Sequence, residues 1–180
     1  YHRDYPLRGG LPKEEARSRY FRLLPVKVFN SLLQIWEHNR IIALAGQNLR
    51  LFNFTPHPTE KQQRVIQSIV KEYQDAAGQP PAWGEVSVRH GLDERDREEV
   101  LNYLVNQKQL TKVADDLYFA ASYLEQARGE ISGYLKANEF ITIGEAREIL
   151  GGSRKYILPL LEYFDREKFT RRVGDKRKLY

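Results

Sequence analysis

Hydrophobic and polar positions follow the same order in three successive stretches of the chain. In each, apolar residues recur every three or four positions, as on one face of a helix, and two short β-prone runs separated by a turn come next. The helical stretches are residues 26–40, residues 96–107 and a short segment after Ser153 with apolar residues at Ile157, Leu160, Leu161 and Phe164. The turns between the β-prone runs are residues 46–48, 115–116 and 174–175. The pattern predicts three helix-plus-hairpin units.

The three units can be aligned on single residues. Leu32, Leu101 and Leu160 take the same place in the helices, and Ile41, Leu110 and Phe169 open the hairpins, at offsets of 69 and 59 residues. Shorter helical segments precede the first two of these helices, and residues 144–150 precede the third. Helix, short helix, longer helix and hairpin is the order of a winged helix. We therefore predict a mostly α protein with small β-hairpins (α+β), built of tandem winged-helix modules.

The predicted modules are residues 1–55, 56–120 and 121–180, and we call them the first, middle and last modules. The first lacks its opening helix, because residues 1–10 have the polar, Pro- and Gly-containing composition of a loop. The chain begins at Tyr1 rather than at a methionine, so we expect it to be a fragment of a longer protein.

Local sequence signals predict several helix ends. Thr59 with Gln62 and Thr142 with Glu145 have the spacing of capping boxes, and Ser153 is placed to cap the last helix by accepting a bond from a backbone amide. Pro159 lies inside that helix, where it removes a donor. We expect a kink there or a later helix start, which would leave residues 153–156 as an irregular, accessible turn.

Composition gives little support to catalysis. The chain has no cysteine, and its four histidines are scattered without metal-ligand spacing. No glycine-rich phosphate loop of either common type is present. No apolar run approaches the ~20 residues of a membrane span, and no secretion signal is visible. We expect a cytoplasmic, monomeric binding protein that contacts no membrane and carries no cofactor or metal.

Positive charge is concentrated at the ends of the chain. The net charge of +5 divides into +5 for residues 1–55, −3 for 56–120 and +3 for 121–180. In the last thirty residues, basic side chains occur at the helix start (Arg154, Lys155) and on the hairpin (Arg171, Arg172, Lys176, Arg177, Lys178). A basic helix start beside a basic hairpin favours phosphate binding, although a solvated charged surface has the same composition.

The segment SRKYILPLLEYFDREKFTRRVGDKRKLY closely resembles the C-terminal end of the bacterial selenocysteine-specific translation elongation factor family. YHRDYPLRGGLPKEEARSR and LPVKVFNSLL resemble an earlier winged-helix region of that family. The resemblance implies a row of winged helices whose last member binds a hairpin in selenoprotein mRNA, the selenocysteine insertion element. It also implies an amino-terminal GTPase half, absent here, that uses GTP and magnesium, carries selenocysteinyl-tRNA and works on the ribosome.

By the same resemblance, the residues expected to contact RNA or to shape its site are Ser153, Arg154, Lys155, Tyr156, Arg171, Arg172, Gly174, Asp175, Lys176 and Arg177. Tyr156 could stack on a base or pack in the core. Two other interpretations stay open at this point. One is a duplex-DNA-binding winged-helix regulator with the helix after Ser153 in the major groove, and the other is an array that binds only proteins.

Overall fold

A computed structural model of the protein describes all 180 residues, which form two compact units, residues 1–63 and 64–180. The predicted class, mostly α with small β-hairpins, is confirmed. The predicted module boundaries at residues 56 and 121 stay predictions.

The first unit contains two helices and one small antiparallel sheet. Its strands and helices, in chain order, are β1 (Leu11–Pro12), α1 (Lys13–Tyr20), α2 (Val26–His38), β2 (Ile42–Ala45) and β3 (Asn48–Leu51), and the strand order in the sheet is β1-β3-β2. Its core forms where Ala16 of α1 meets Phe29 and Leu33 of α2, which are four residues apart and share a face. Residues 1–10 form turns, and no helix precedes β1.

The second unit contains two successive helix-plus-hairpin sets. The elements of the middle module are α3 (Glu60–Ala76, which begins within the first unit), α4 (Trp83–Arg89), α5 (Glu94–Asn106), β4 (Leu110–Ala114) and β5 (Leu117–Ala120). Those of the last module are α6 (Ala121–Ala137), β6 (Ile141–Thr142), α7 (Ile143–Leu150), α8 (Arg154–Arg166), β7 (Thr170–Val173) and β8 (Lys176–Leu179). The strands β4 and β5 form a two-stranded sheet, and the last three strands have the order β6-β8-β7.

The three long helices before the hairpins end in the same way. These helix ends define the offsets between the modules more precisely than the sequence pattern does. Arg40, Lys108 and Lys168 all have φ near +55°. The amides of the following residues, Ile41, Gln109 and Phe169, each donate to the carbonyl five residues back at 2.9 Å, the bond of a Schellman motif. The offsets between equivalent helix ends are thus 68 and 60 residues. The prediction that Leu110 is the equivalent of Ile41 is wrong by one residue.

A β-bulge between Lys112 and Ala114 explains the error. The bulge adds one residue to β4, so the hairpin ends of the first two modules are 69 residues apart although their helix ends are 68 apart. Phe52, Ala121 and Tyr180 close the three hairpins by donating to Ile41, Gln109 and Phe169 respectively. The sequence pattern therefore matches the ends of the hairpins correctly, but in the middle module it shifts the helix and the start of the hairpin by one position.

Two of the three predicted helix caps are confirmed. Thr142 Oγ1 accepts from the Glu145 amide at 3.2 Å while the Glu145 carboxylate accepts from the Thr142 amide at 2.7 Å, and Thr59 and Gln62 make the corresponding bonds at 3.3 and 3.0 Å. The Ser153 side chain makes no capping bond, so that prediction is wrong. The Tyr156 amide, which the hydroxyl would have served, donates to the Ser153 backbone carbonyl instead at 3.0 Å.

The start of α8 also differs from the expected irregular turn. The helix runs from Arg154 to Arg166 with Pro159 inside it, so Arg154 to Tyr156 are helical. Pro159 is accommodated because Ile157, Leu160, Leu161 and Phe164 are all fully buried on the other side of the helix, where packing outweighs the missing hydrogen bond. The expectation of an accessible segment holds for residues 153–155, which are exposed.

Candidate nucleic-acid interface

The hairpin of β7 and β8 places its basic residues on two opposite faces. Arg171 pairs with Lys178 and Val173 pairs with Lys176 in the antiparallel register. Partners in such a ladder share a face, and residues two apart on a strand also share it. Arg171, Lys176 and Lys178 therefore lie together on the outer face, where Arg171 and Lys176 are exposed and Lys178 is half-buried.

Phe140, just before β6, adds an aromatic ring to this face. The ammonium nitrogens of Lys176 and Lys178 lie 5.9 and 5.6 Å from its ring centroid, within the range of a cation–π contact. We call Phe140, Arg171, Lys176 and Lys178 the wing surface. The sequence-based site omitted Phe140 and Lys178, although strand alternation already placed Lys178 on the face of Lys176.

Arg172 and the Gly174-Asp175 turn form the tip of the hairpin. Gly174 has φ +65°, as the turn sequence predicted, because glycine tolerates the left-handed region. Arg172 Nε donates to the Gly174 carbonyl oxygen at 2.8 Å, which ties the strand to its own turn. Arg172, Gly174 and Asp175 are all exposed, so the tip is accessible.

Arg177 is not accessible, so its assignment as an RNA contact is wrong. It is 1% exposed, and its Nε donates to Asp165 Oδ2 of α8 at 2.8 Å. Thr170 Oγ1 donates to the other oxygen of the same carboxylate at 2.6 Å. Arg177 shares its strand face with Leu179 and pairs with Ile141 of β6, so the alternation turns it toward the core. Its role is to join the sheet to α8.

A hydrogen-bonded carboxylate lies beside the wing surface. Glu145 accepts from the Thr142 hydroxyl and amide, both at 2.7 Å, and from Tyr134 Oη at 2.9 Å. These bonds, led by the Thr142 hydroxyl, hold the pKa of Glu145 below its ordinary value, and the positive charge of Lys176 contributes. Glu145 therefore stays ionised and offsets part of the charge of Lys176.

The start of α8 lies next to the middle module. Ser153, Arg154 and Lys155 are exposed and Tyr156 is half-buried. Lys155, Tyr156 and Pro159 form one wall of a cleft of about 310 Å³, and residues 80–82 and 114–117 form the other. We call this space the junction cleft. Asp115 and Asp116 contribute to that second wall, so this end of the helix lies beside mixed charge, although the Asp115 carboxylate is fully exposed and pairs with Lys112 Nζ at 3.2 Å.

Apart from the buried Arg177, the sequence-predicted site divides into three groups in the structure. Arg171 and Lys176 share the wing surface, Arg172, Gly174 and Asp175 form the tip, and Ser153, Arg154, Lys155 and Tyr156 lie at the helix start beside the middle module. No group of three His, Asp or Glu side chains is arranged to hold a metal ion. None of the helices has the length and apolar character needed to cross a membrane.

Two family models match the chain. Both describe winged-helix domains of elongation factor SelB: the second such domain matches residues 1–51 and the third matches residues 133–179. Together they match more than half of the chain. The tandem winged-helix prediction is confirmed.

Comparison with individual proteins points the same way. A selenocysteine-specific elongation factor from Desulfomicrobium baculatum is 27% identical over 99% of this chain, which spans 28% of that relative. The mRNA-binding domain of E. coli elongation factor SelB, solved in complex with SECIS RNA, is 26% identical with a TM-score of 0.56, over 68% of this chain and 98% of that one. A bacterial EF-Sec structure, 19% identical with a TM-score of 0.59 over 95% of this chain and 26% of that one, shares the fold.

Proposed function

The chain belongs to the winged-helix region of the SelB elongation factor family, and from this premise we propose that its last module binds a hairpin in mRNA. The observation that carries the proposal is the wing surface, where Arg171, Lys176 and Lys178 share one face and the two lysines contact the ring of Phe140. Clustered cations with an aromatic side chain suit phosphates and an unpaired base. The E. coli neighbour solved with SECIS RNA supports the RNA class of the ligand.

The shape of an RNA stem favours contact by the hairpin rather than by helix insertion. The major groove of A-form RNA is too deep and narrow for side chains to read, so sequence is read at loops and bulges. The two basic strands and their exposed tip can follow a phosphate backbone, and Phe140 can meet a base that leaves the stack. In this proposal Arg171, Lys176 and Lys178 contact phosphates, and Arg172 fixes the turn that presents them.

For the longer protein we propose the functions of the family. It delivers selenocysteinyl-tRNA to the ribosome, and the part outside this chain binds GTP with magnesium and hydrolyses it. The present chain then has a binding role, acts as a monomer in the cytoplasm, and carries no catalytic step. The middle module, with its net charge of −3, spaces the RNA-binding end from the ribosome-facing half.

Binding to SECIS RNA over a range of salt concentrations tests the proposal. Removing one phosphate contact lowers the slope of log K against log salt by about 0.7 to 0.9. We expect the double substitution of Arg171 and Lys176 by Ala to weaken binding and to flatten this slope by roughly 1.5. Arg64→Ala, which removes an exposed arginine from α3, is the matched control and should change neither.

Two results would count against the proposal. An unchanged affinity and slope in the double variant would show that RNA does not bind at the wing surface. The second contrary result would be a preference for duplex DNA when it competes with the SECIS stem-loop at equal length. That preference would favour a DNA-binding regulator over an mRNA-binding module.

A further inference from the structure

Two carboxylates border the wing surface, and they carry an inference that rests on the proposed RNA binding and deepens it. They belong to Glu145 and Glu148 of α7, which we call the acidic edge. In the strand order β6-β8-β7, Arg171 of β7 lies at one side of the outer face and β6, which leads into α7, lies at the other. The charge of the outer face therefore changes sign from one side of the sheet to the other.

The strand register divides the outer face into two rows, of which the first carries two cations and a ring. Arg171 of β7 pairs with Lys178 of β8 in the antiparallel ladder. Phe140 lies on the other side of Lys178, with its ring centroid 5.6 Å from the Lys178 ammonium nitrogen. Since directly opposed residues share a face of the sheet, these side chains form a continuous path. A phosphate backbone along this row meets both cations.

The second row has one cation and ends at a carboxylate. Val173 of β7 pairs with Lys176 of β8, and Lys176 pairs with Thr142 of β6. The Thr142 hydroxyl in turn donates to the Glu145 carboxylate at 2.7 Å. A phosphate that approaches Lys176 across β6, from the side of α7, therefore meets a negative charge first.

The Glu145 carboxylate is held in place. One of its oxygens accepts from Tyr134 Oη of α6 at 2.9 Å, and the other accepts from the Thr142 hydroxyl and amide, both at 2.7 Å. The positive charge of Lys176 acts on it, but the two groups form no ion pair. The carboxylate thus cannot turn away from an approaching phosphate, and Lys176 does not neutralise it by direct contact.

Glu148 continues the negative charge along α7. It lies three positions after Glu145, so the two side chains are neighbours on one side of the helix, and it is exposed. The hydrogen bond to Glu145 raises the pKa of the Tyr134 phenol, and the charge of Glu148 adds to this shift. Both carboxylates therefore act at the same place beside the sheet.

We propose that the acidic edge makes the wing surface selective, because it rejects RNA whose backbone crosses Lys176 toward α7. A stem-loop that seats its phosphates at Arg171 and Lys178 keeps clear of the edge. An RNA held only by non-specific electrostatic attraction samples many orientations, and the edge disfavours those that cross it. Discrimination between ligands uses such unfavourable contacts as well as favourable ones. Glu145 and Glu148 are in this sense specificity-determining residues of the hairpin-binding site.

The test compares two RNAs on the 180-residue chain. One is the SECIS stem-loop, and the other is a stem-loop of the same length with its unpaired bases scrambled; both affinities are measured by fluorescence anisotropy at one salt concentration. Glu145→Gln removes the charge and keeps the capping box, because glutamine also serves at that position. We expect the scrambled stem-loop to bind about two- to five-fold more tightly, as for one like charge removed at a few ångströms in water. The SECIS affinity should change by less than about two-fold.

The direction of the change separates charge from structure. A variant that merely loosened the module would bind both RNAs more weakly, whereas removal of repulsion strengthens binding of the scrambled one. Tyr134→Phe keeps the charge and removes one donor to Glu145, so its ratio of SECIS to scrambled affinity should stay closer to that of the parent chain than the ratio of Glu145→Gln does. Glu98→Gln, which removes an exposed carboxylate from α5 of the middle module, is the matched control and should leave the ratio unchanged.

Three results would overturn the proposal. They are an unchanged ratio in Glu145→Gln, equal tightening of both RNAs, and a loss of selectivity in Tyr134→Phe as large as in Glu145→Gln. If any of these occurs while the double substitution of Arg171 and Lys176 by Ala weakens SECIS binding, the selectivity proposal fails and the hairpin-binding proposal stands. If that double variant binds SECIS RNA like the parent chain, binding at the wing surface fails, and the selectivity proposal fails with it.

Discussion

Replacing Arg177 by methionine should lower stability without removing a direct RNA contact. Methionine keeps most of the apolar volume of the arginine stem and deletes its charge. The Asp165 carboxylate, whose side chain is 21% exposed, then loses the guanidinium that pairs with it and keeps the bond from Thr170. Removing one member of a buried pair costs about 3–5 kcal/mol. Since Asp165 is partly solvated, we expect about 3 kcal/mol, the lower end of that range.

This destabilisation is large compared with the stability of a small domain, which is about 5–15 kcal/mol. The free energy of unfolding can be measured by urea denaturation followed by circular dichroism. Arg171→Met is the matched control, because it makes the same change on the opposite, exposed face of the hairpin and should cost less than about 0.5 kcal/mol. The double variant Arg177→Met with Asp165→Leu should recover much of the stability, because it leaves no unpaired charge.

The reasoning would be refuted if Arg177→Met were as stable as Arg171→Met. It would also be refuted if Arg177→Met, under conditions where it is fully folded, lost more RNA affinity than Arg171→Met. Either result would show that Arg177 reaches solvent and that its contact with Asp165 contributes little. Binding should therefore be measured well below the unfolding transition of both variants.

Three further predictions concern stability. The pKa of Glu145 is below its ordinary value, so its contribution to stability is fully present above the pKa of this group in the unfolded chain and is lost as the pH falls through the folded-state pKa. Glu145→Gln should therefore flatten the fall in melting temperature on acidification. An unchanged dependence of the melting temperature on acidic pH would contradict this. Gly78→Ala would place a Cβ 2.6 Å from Tyr123 Oη, so it should lower the free energy of unfolding by roughly 1–3 kcal/mol. Adding Tyr123→Phe to this variant removes that oxygen and should restore part of the stability, as measured by thermal denaturation. Lys168→Gly should stabilise by up to about 1 kcal/mol, because glycine relieves the φ of +55°, and a lower melting temperature would show that the added chain entropy outweighs this relief.

Much of the fold could be predicted from the sequence because it depends on local signals. The capping pair Thr142 and Glu145 lie in one turn of chain, and Gly174 marks a turn that needs positive φ. The position of the bulge could not be predicted in this way. Nothing in the residues from Lys112 to Ala114 distinguishes a regular strand from a bulged one. The donor that meets the Val113 carbonyl at the bulge is Arg166, which lies 53 residues later in the last module.

The candidate site was predicted less completely, because charge in a sequence does not show direction. Lys176, Arg177 and Lys178 are adjacent basic residues, yet strand alternation turns the middle one to the core and the others to the outer face. Applying that alternation from Leu179 backward would have excluded Arg177 and included Lys178. The aspartates opposite Lys155 belong to another module, so only the folded chain shows that the helix start is not uniformly basic.

These placements bear on how specificity could arise in a small basic domain. Phosphate contacts fix the position of an RNA and carry no sequence information, so the wing surface alone would bind many stem-loops. Contacts to unpaired bases can add that information only if the last module is held in one position relative to the middle module. In this chain Arg166 ties α8 of the last module to the bulge of β4 in the middle module. Loosening that tie by Arg166→Ala should therefore reduce discrimination among stem-loops more than it reduces affinity for any one of them, and competition among stem-loops that differ only in unpaired bases measures the difference.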